Sequence, residues 1–394
     1  MPIPRLRSFA GPAILSYGFR PFFLFGAFYA GLALLIWLPM FEGRFGLDTS
    51  FSAPDWHVHE MLYGYVAAIV TGFLLTAIPN WTGRLPLNGM PLLVLVLVWA
   101  AGRLAVVYSG VIGWWVAALI DAAFLVLVLA AAGREIVAGE NWRNLRVLAI
   151  VAAFALANVT FHVEAHVWGV ALFSQRLGLS AVILLVMLVG GRIVPSFTRN
   201  WLARENPGRL PGPFDRFDAL SIAAGAVTLA AWTVFPDALG TGLALIGAGL
   251  LHAARLARWA GDRTLRDPLV LILHLAYAFI PVGFLLLGAA ALGAQAPPSA
   301  GVHAWSAGAV GTMTLAVMTR ATRGHAGRAL EAPPSTQVLY AAVILAAVLR
   351  ILAALVPSFS QPLLWAAAIA WLASFWGFCG VYGPMLVRPR LKGQ

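Results

Sequence analysis

Histidine is the residue type through which this chain could carry out metal chemistry. The chain has eight histidines and one cysteine, so imidazole groups rather than thiolates are the available ligands. Imidazole commonly ligates haem iron and copper. Several of the histidines fall at one depth, near the outer ends of three of the membrane-spanning helices inferred below. These are His57, His59, His162, His166 and His303.

This histidine layer predicts at least one haem or copper centre on the outer side of a membrane. Ionisable groups inside a membrane are costly to bury, and they usually serve a function. The competing interpretation is structural, in which each histidine hydrogen-bonds a neighbouring helix or contacts water at the membrane surface. A single histidine is easily explained in that way, whereas a whole layer of them favours a metal site.

The spacing of the outer residues restricts which of them can share a centre. An α-helix turns about 100° per residue, so His162 and His166 lie on one face and can ligate or bracket one metal. Glu164 points nearly the opposite way, and we expect it to hydrogen-bond another helix. His57 and Glu60 share a face in the same manner, which makes Glu60 the candidate catalytic proton donor, or a fourth ligand of the metal.

Two further expectations concern the start of the helix that contains His57 and Glu60. Gly64 lies one turn beyond Glu60 and would leave room for a porphyrin ring, although a small residue there also suits close helix packing. His59 points away from His57 on a regular helix, so both can serve one site only if the helix begins irregularly.

A weaker signal lies toward the inner side. His252 and His274 occupy matching depths on consecutive antiparallel helices and could hold a second haem. A hydrogen bond from each to a serine or a carbonyl group explains them about equally well.

Arg103 and Asp121 are buried charges on another helical hairpin. A structural ion pair is the first interpretation, and contact between Arg103 and a haem propionate is the alternative.

The composition places these residues in a membrane protein. Of the 394 residues, 61% are hydrophobic and 10% are charged, whereas soluble domains carry about 25% charged residues. A soluble enzyme is therefore excluded, and one cysteine excludes a disulfide scaffold. The net charge of +11 does not indicate nucleic-acid binding, because the cations are dispersed between apolar stretches.

About twelve apolar stretches have the roughly 20 residues that a membrane-spanning helix needs. Turn-forming residues separate them, and no connection is long enough to form a soluble domain. We therefore predict an all-α, polytopic bundle, in which residues 1–394 form a single membrane domain in contact with lipid. The predicted spans are 21–41, 57–79, 88–108, 111–132, 146–168, 178–198, 218–235, 238–257, 269–291, 302–319, 336–356 and 362–386.

The charge distribution orients this bundle. Cytoplasmic segments of membrane proteins are enriched in Lys and Arg. With the N-terminus inside and twelve alternating helices, 22 of the 26 cations fall on the inner side. The exceptions are Arg44 and Arg176 in outer loops, and Arg103 and Arg350 within spans. Both termini are thus predicted to be cytoplasmic.

The sequence also contains a faint internal repeat with a period of four helices. Spans 2, 6 and 10 each end in a similar polar run, at residues 79–84, 195–200 and 319–324. Three short matches predict related helices at these positions.

Four segments together resemble the NnrS family, in the same order and through most of the chain. The resemblance implies a twelve-helix protein of the bacterial inner (cytoplasmic) membrane that contains haem and copper. It also implies a link to nitric oxide, to denitrification and to tolerance of nitrosative stress. The segments are Trp56–Met61 with Gly64, Thr71–Phe73 running to Pro79–Gly83, Gly190–Thr198, and Thr319–Arg320 with Arg323–Arg328.

Three functions are compatible with this resemblance and with the histidine layer. The first is reduction of nitric oxide to nitrous oxide, at haem b (one or two groups) beside copper or another second metal, with quinol as the candidate electron donor. The second is a non-enzymatic haem protein that binds, senses or protects against nitric oxide. The third is a transporter, because twelve helices are common in carriers, but a carrier does not need a histidine layer.

The orientation can be tested with reporter fusions at the C-terminus. A green fluorescent protein fused there should fluoresce, because that reporter folds in the cytoplasm, and alkaline phosphatase fused at the same position should be inactive. Active phosphatase at the C-terminus would contradict an even number of spans with the N-terminus inside.

Overall fold

Apolar helices account for the whole architecture. In the computed structural model, which describes residues 9–390, the chain is helical throughout and no strand occurs in this range. Eleven helices in the described part are long and apolar enough to cross a membrane. The predicted all-α, multi-pass membrane protein is thereby confirmed, whereas the cytoplasmic position of the termini stays a prediction.

Each predicted span corresponds to a helical run in the structure, with ends that differ by seven residues at most. The runs are numbered α1 to α12 in chain order. They are α1 Phe19–Phe41, α2 Ala53–Thr82, α3 Met90–Val107, α4 Trp114–Ala138, α5 Leu145–Trp168, α6 Leu172–Glu205, α7 Arg216–Val234, α8 Leu239–Ala257, α9 Pro268–Ala291, α10 over residues 298–325, α11 Pro334–Leu355 and α12 Ser360–Val387.

The run α10 is the one that is not among the eleven apolar spans. It consists of Pro298–His303, a π-helical segment Ala304–Gly311, and Thr312–His325. Its middle carries glycine, serine and threonine in addition to apolar residues, so it is less hydrophobic than the other runs. The tenth predicted span is therefore present as a helix of mixed composition.

Local sequence signals set the helix ends around the chemically important residues. The Ser52 side chain accepts a hydrogen bond from the Asp55 backbone N–H and starts α2, as an N-cap should. Gly83 ends the same helix with φ of 72°, a conformation that glycine adopts without strain. Asp215 and Asp218 form a capping box at the start of α7.

A π-helical segment interrupts each of the three helices that the sequence repeat singled out. The segments are Glu60–Val66 in α2, Val186–Gly190 in α6 and Ala304–Gly311 in α10. No other π-helical segment occurs in residues 9–390. A π turn shifts the register of a helix and is frequent at functional sites. The predicted four-helix repeat therefore has a structural counterpart.

Two of these segments offer a backbone carbonyl to a side chain of another helix. Trp99 of α3 donates its indole N–H to the Gly64 carbonyl at 2.9 Å. Arg255 of α8 donates to the Met187 carbonyl at 3.0 Å. In each case a side chain of another helix donates to a backbone carbonyl of a π-helical segment.

The Cα positions divide the chain into two compact units. One contains Met1–Gly178, Ala321–Arg328 and Phe375–Gln394, and the other contains Leu179–Arg320 and Ala329–Ser374. In the first unit α4 packs against α2, α3 and α5, and in the second α9 packs against α8 and α10. The sole cysteine, Cys379 of α12, lies in the first unit, where its thiol faces the Leu24 carbonyl at 3.6 Å. The single membrane domain stays a prediction.

Gly191, directly after the π segment of α6, is predicted to be essential for packing. A Cβ atom there would lie 2.1 Å from the Arg255 guanidinium, which is fixed by hydrogen bonds to Asp218, Met187 and Tyr277. Replacing Gly191 with Ala should destabilise the protein by about 1–3 kcal/mol, the usual cost of overpacking. Thermal unfolding in detergent measures this.

Gly240→Ala is the matched control, because a Cβ atom at Gly240 of α8 would meet nothing within 4 Å. Alanine has the higher helix propensity, so the control should keep or slightly raise the unfolding temperature. Equal losses in the two variants would show that the Arg255 contact is not the cause.

Candidate metal centre

A chain of buried charges crosses the middle of the first unit. Arg103 of α3 donates to Glu60 of α2 at 2.7 Å, and its other terminal nitrogen bonds to Asp121 of α4. The exposed fractions of these three side chains are 6%, 0% and 1%. The predicted Arg103–Asp121 ion pair is confirmed, with Glu60 as a second carboxylate that the sequence did not place there.

Two histidines complete this cluster around Asp121. The Asp121 Oδ2 atom lies 3.2 Å from His59 Nε2 and 3.1 Å from His162 Nε2. It also accepts a hydrogen bond from the Asn158 amide at 2.8 Å. One ligand atom from each of His59, Asp121 and His162 fits within 4.8 Å of the others, as a single metal ion would require.

Aromatic side chains enclose the two imidazoles. Phe51 packs against both rings, with centroid separations of 5.0 Å to His59 and 5.1 Å to His162. Phe161 and Tyr63 close the His59 side. Such an apolar wall excludes water and strengthens electrostatic interactions inside the cluster.

The hydrogen bonds define which atoms carry hydrogen. Arg103 and the Tyr29 hydroxyl both donate to the Glu60 carboxylate. His59 Nδ1 lies 2.9 Å from the same carboxylate, so it donates as well. Glu60 therefore accepts three hydrogen bonds, an arrangement typical of an ionised carboxylate.

The opposite nitrogen of His59 faces only acceptors. The Asn158 amide nitrogen is turned to Asp121, which fixes its oxygen toward His59 Nε2 at 3.0 Å. Asp121 Oδ2 approaches the same nitrogen. A lone pair on Nε2 would repel both oxygens, so either a hydrogen or a metal cation must lie between them and this nitrogen. Either a second proton on His59 or a metal cation satisfies this requirement.

His57 has a different partner from its neighbour His59. The His57 ring stacks on Trp37, with centroids 4.0 Å apart, and Glu60 contacts His59 instead of sharing a site with His57. Glu60 reaches the side chain of the adjacent residue, and His57 packs against α1 instead. His59 and His162 are therefore the pair that meets.

His166 and His303 have different surroundings from those expected. His166 is exposed and stacks on Trp114, with centroids 4.3 Å apart, so it does not join His162. His303 belongs to the second unit and donates from Nδ1 to the Ser299 carbonyl at 2.7 Å. Their metal-binding roles stay predictions without support from these contacts.

The space at Gly64 is occupied by side chains. A Cβ atom at this position would lie 2.5 Å from the Tyr29 ring and 3.1 Å from Arg103. The small residue thus permits helix packing, which was the alternative interpretation, and a porphyrin does not fit there. Arg103 is likewise engaged by two carboxylates, as the ion-pair interpretation predicted.

Glu164 binds the start of the next helix, as its direction on α5 predicted. Its carboxylate accepts hydrogen bonds from the backbone N–H groups of Phe173 and Ser174, both at 2.7 Å. These are unpaired donors in the first turn of α6, and a carboxylate is favourable there.

A second polar cluster lies in the second unit. Arg255, which is fully buried, donates to Asp218 at 2.9 Å and to the Tyr277 hydroxyl at 2.7 Å. Asp215 lies at the exposed start of α7, where Arg258 binds its carboxylate. This contact lowers the pKa of Asp215 to about 2. The Tyr277 hydroxyl lies 2.8 Å from His252 Nδ1. Because Tyr277 already accepts from Arg255, its own hydrogen is available for His252.

The predicted inner pair is bound by hydroxyl groups. His252 contacts Tyr277, and His274 Nε2 lies 2.8 Å from the Thr198 hydroxyl. A Cβ atom at Gly225 would lie 2.9 Å from His252 Nε2, and one at Gly261 would lie 2.6 Å from His274 Nδ1, so both glycines leave room for the rings. A second haem between His252 and His274 stays a prediction, and these contacts favour the structural alternative, with hydroxyl groups as the partners.

Sequence reasoning missed two members of the first cluster. Tyr29 gave no signal, because one tyrosine among apolar residues of α1 is unremarkable. Asn158 lies four residues before His162 on the same helical face, and that spacing could have identified it. Asp121 was recognised as a partner of Arg103 but not as a neighbour of the histidines.

The fold and this cluster define the class of protein: a multi-pass membrane protein with a buried histidine–carboxylate centre. The chain belongs to the NnrS family, whose model, described as NnrS protein, matches residues 13–390. It is therefore a membrane protein related to nitric oxide. A comparison with curated proteins finds no match.

Two histidines of α5 allow a matched test of the centre. Replacing His162 with Ala removes a ring from the cluster, so the purified protein should lose at least one equivalent of bound transition metal. Replacing His166 with Ala, one turn further along the helix, should leave the metal content unchanged. Elemental analysis of both variants measures this, and equal metal content in the two would place the metal elsewhere.

Proposed function

We propose that this chain is a metalloprotein of the bacterial inner membrane that binds nitric oxide at a metal held by His59, Asp121 and His162. The observation that carries the proposal is the convergence of these three donors in a dry cluster, where His59 Nε2 faces only acceptor oxygens. Membership of the NnrS family supports nitric oxide as the ligand.

Copper fits this donor set better than haem. Two imidazoles and a carboxylate suit copper and related transition metals. A haem would need a planar space beside an axial histidine, and the space at Gly64 is filled by Tyr29 and Arg103. Haem at another place in the chain stays a prediction, and no part of the proposed reaction depends on it.

The proposed reaction is the reduction of nitric oxide. Two nitric oxide molecules, two electrons and two protons give one nitrous oxide and one water molecule. A bound redox-active metal would supply a coordination site for nitric oxide and a route for electrons from a donor such as quinol. The protein must supply the protons and keep other water out.

The residues of the first unit are suited to these two tasks. Phe51 and Phe161 shield the imidazoles from solvent. Glu60 is the proposed proton donor, because it contacts His59 and is itself in contact with the Tyr29 hydroxyl. Glu60 must take up a proton from solvent before each transfer, because the Tyr29 phenol is a far weaker acid than a carboxylic acid and cannot supply it. Arg103 keeps the Glu60 carboxylate oriented toward the cluster.

One observation favours the second candidate function, the binding of nitric oxide without turnover. Glu60 accepts three hydrogen bonds and is therefore ionised in this state of the protein. A carboxylate that holds no proton cannot donate one until it is recharged. A protein that only binds or scavenges nitric oxide does not need that step.

Gas production separates the two functions. Purified protein with a chemical reductant and nitric oxide, without oxygen, should produce nitrous oxide that gas chromatography detects. Glu60→Gln should lower the rate per bound metal by about 100-fold or more, as expected when a general acid is removed. Glu164→Gln is the matched control and should keep the rate, because Glu164 caps α6 outside the cluster.

Two results would change the proposal. No nitrous oxide from wild-type protein that binds nitric oxide in a spectroscopic titration would establish the binding function. Nitrous oxide at an unchanged rate from the Glu60→Gln variant would keep the reaction and remove Glu60 from it.

A further inference from the structure

A ring from a surface loop covers the imidazoles of the first cluster. The loop joins α1 to α2, on the predicted outer side. Ser50 and Ser52 of this loop are exposed, whereas Phe51 between them has an exposed fraction of 7%. The Phe51 ring contacts both His59 and His162, with centroid separations of 5.0 and 5.1 Å. The loop therefore lies at the surface and turns one aromatic side chain inward, onto the two histidines.

A series of hydrogen bonds fixes this loop to the connection between α3 and α4. The Phe51 backbone N–H donates to the Thr49 hydroxyl at 3.3 Å, and that hydroxyl lies 3.2 Å from the buried Ser109 hydroxyl. Ser109 also accepts from the Ser50 backbone N–H at 2.8 Å and donates to the Val106 carbonyl at 2.8 Å. Ser109 thus holds the backbone from which Phe51 projects.

The Phe51 ring itself is held by packing, because a phenyl group has no polar atom. Its displacement breaks no hydrogen bond of the cluster. The chain after the ring is fixed independently, since Ser52 caps α2 and the Asp55 carboxylate accepts from the Ala171 backbone N–H at 3.4 Å. Movement of the ring therefore depends on the preceding part of the loop, which Ser109 anchors.

The histidine beneath this ring has a nitrogen that no hydrogen bond occupies. His162 Nε2 lies 3.1 Å from Asp121 Oδ2, an acceptor, so Nε2 carries the ring hydrogen. His162 Nδ1 is buried and has no hydrogen-bond partner among the described residues. It therefore carries a lone pair, which makes it a nucleophile. The exposed fraction of the side chain is 1%, so burial is what keeps solutes from this atom.

We propose that Phe51 is a gate on the outer side of the cluster and that Ser109 holds this gate closed. The closed ring bars water and bulky solutes from His59 and His162, whereas a small uncharged ligand passes with a brief displacement of one side chain. Neither residue binds a ligand or transfers a proton: Phe51 sets access, and Ser109 positions the loop. The inference rests on the proposed function for the identity of the ligand and is independent of it for access to the histidines.

Chemical modification of histidines tests the gate. Diethyl pyrocarbonate acylates an imidazole nitrogen that carries a lone pair. Full-length protein, purified in detergent and freed of metal with a chelator, is treated with this reagent, and tandem mass spectrometry of its peptides gives the rate at each histidine. In the wild type His162 should be protected. The exposed His166, one turn further along α5, should react rapidly in every variant and is the internal standard.

The variants should open the gate to different extents. Phe51→Ala should raise the rate at His162 by roughly tenfold or more, because burial of a phenylalanine ring opposes opening by at least that factor. Ser109→Ala should raise it by about three- to tenfold, as expected when hydrogen bonds that hold the loop are lost. Phe51→Leu, which keeps an apolar side chain, should retain most of the protection. Phe45→Ala is the matched control, because Phe45 of the same loop is 44% exposed, and it should leave the rate unchanged.

His252 reports whether each variant is folded, because it is fully buried in the second unit. A higher rate at His162 with His252 still protected supports the gate. Rapid reaction of His162 in the wild type, or an unchanged rate in the folded Phe51→Ala variant, overturns it and leaves the proposed metal centre in place. If Phe51→Ala exposes both histidines, it is unfolded, and the rate at His162 in Ser109→Ala decides in the same way.

The proposed function fails on different evidence. Wild-type protein that binds neither a metal at the cluster nor nitric oxide would overturn the proposed function. The modification rates of the metal-free protein would still show whether Phe51 controls access to His162.

Discussion

The cost of burying charge in a membrane governs this structure. Arg103 can lie in the middle of the first unit only because Glu60 and Asp121 flank it, and they are tolerated only because Arg103, Tyr29, His59, His162 and Asn158 occupy their oxygens. Five helices, α1 to α5, each contribute a residue to this network. Polar contacts therefore fix how these helices pack. A shared apolar surface alone would not specify their arrangement, because lipid tails are as apolar as the helix surfaces.

Much of the fold could be predicted from the sequence because long apolar stretches have few alternatives in a membrane. Helix number, order and approximate ends follow from hydropathy and from the turn-forming residues between the apolar stretches. The π segments could not be predicted in the same way, since an extra residue in one turn leaves no signature in hydropathy. The polar runs at the ends of α2, α6 and α10 indicated that these helices are related but not what they share.

The candidate site was predictable only in part. His162, Glu60, Arg103 and Asp121 were all singled out, and the Arg103–Asp121 pair followed from their common hairpin. The contact of Glu60 with His59 was not predicted, because helical periodicity places adjacent residues on different faces although a long side chain can reach its neighbour. Contacts between helices distant in the sequence, such as His59 with Asn158, depend on packing that no local spacing encodes.

The scarcity of thiols limits one kind of chemical damage to this chain. Reactive nitrogen species and their oxidised products attack cysteine mainly as the accessible thiolate. This chain offers a single thiol, at Cys379, half-buried in α12 and directed at the Leu24 carbonyl. A member of a family related to nitric oxide thus presents one shielded thiol for nitrosation, and its polar centre is built from nitrogen and oxygen atoms alone.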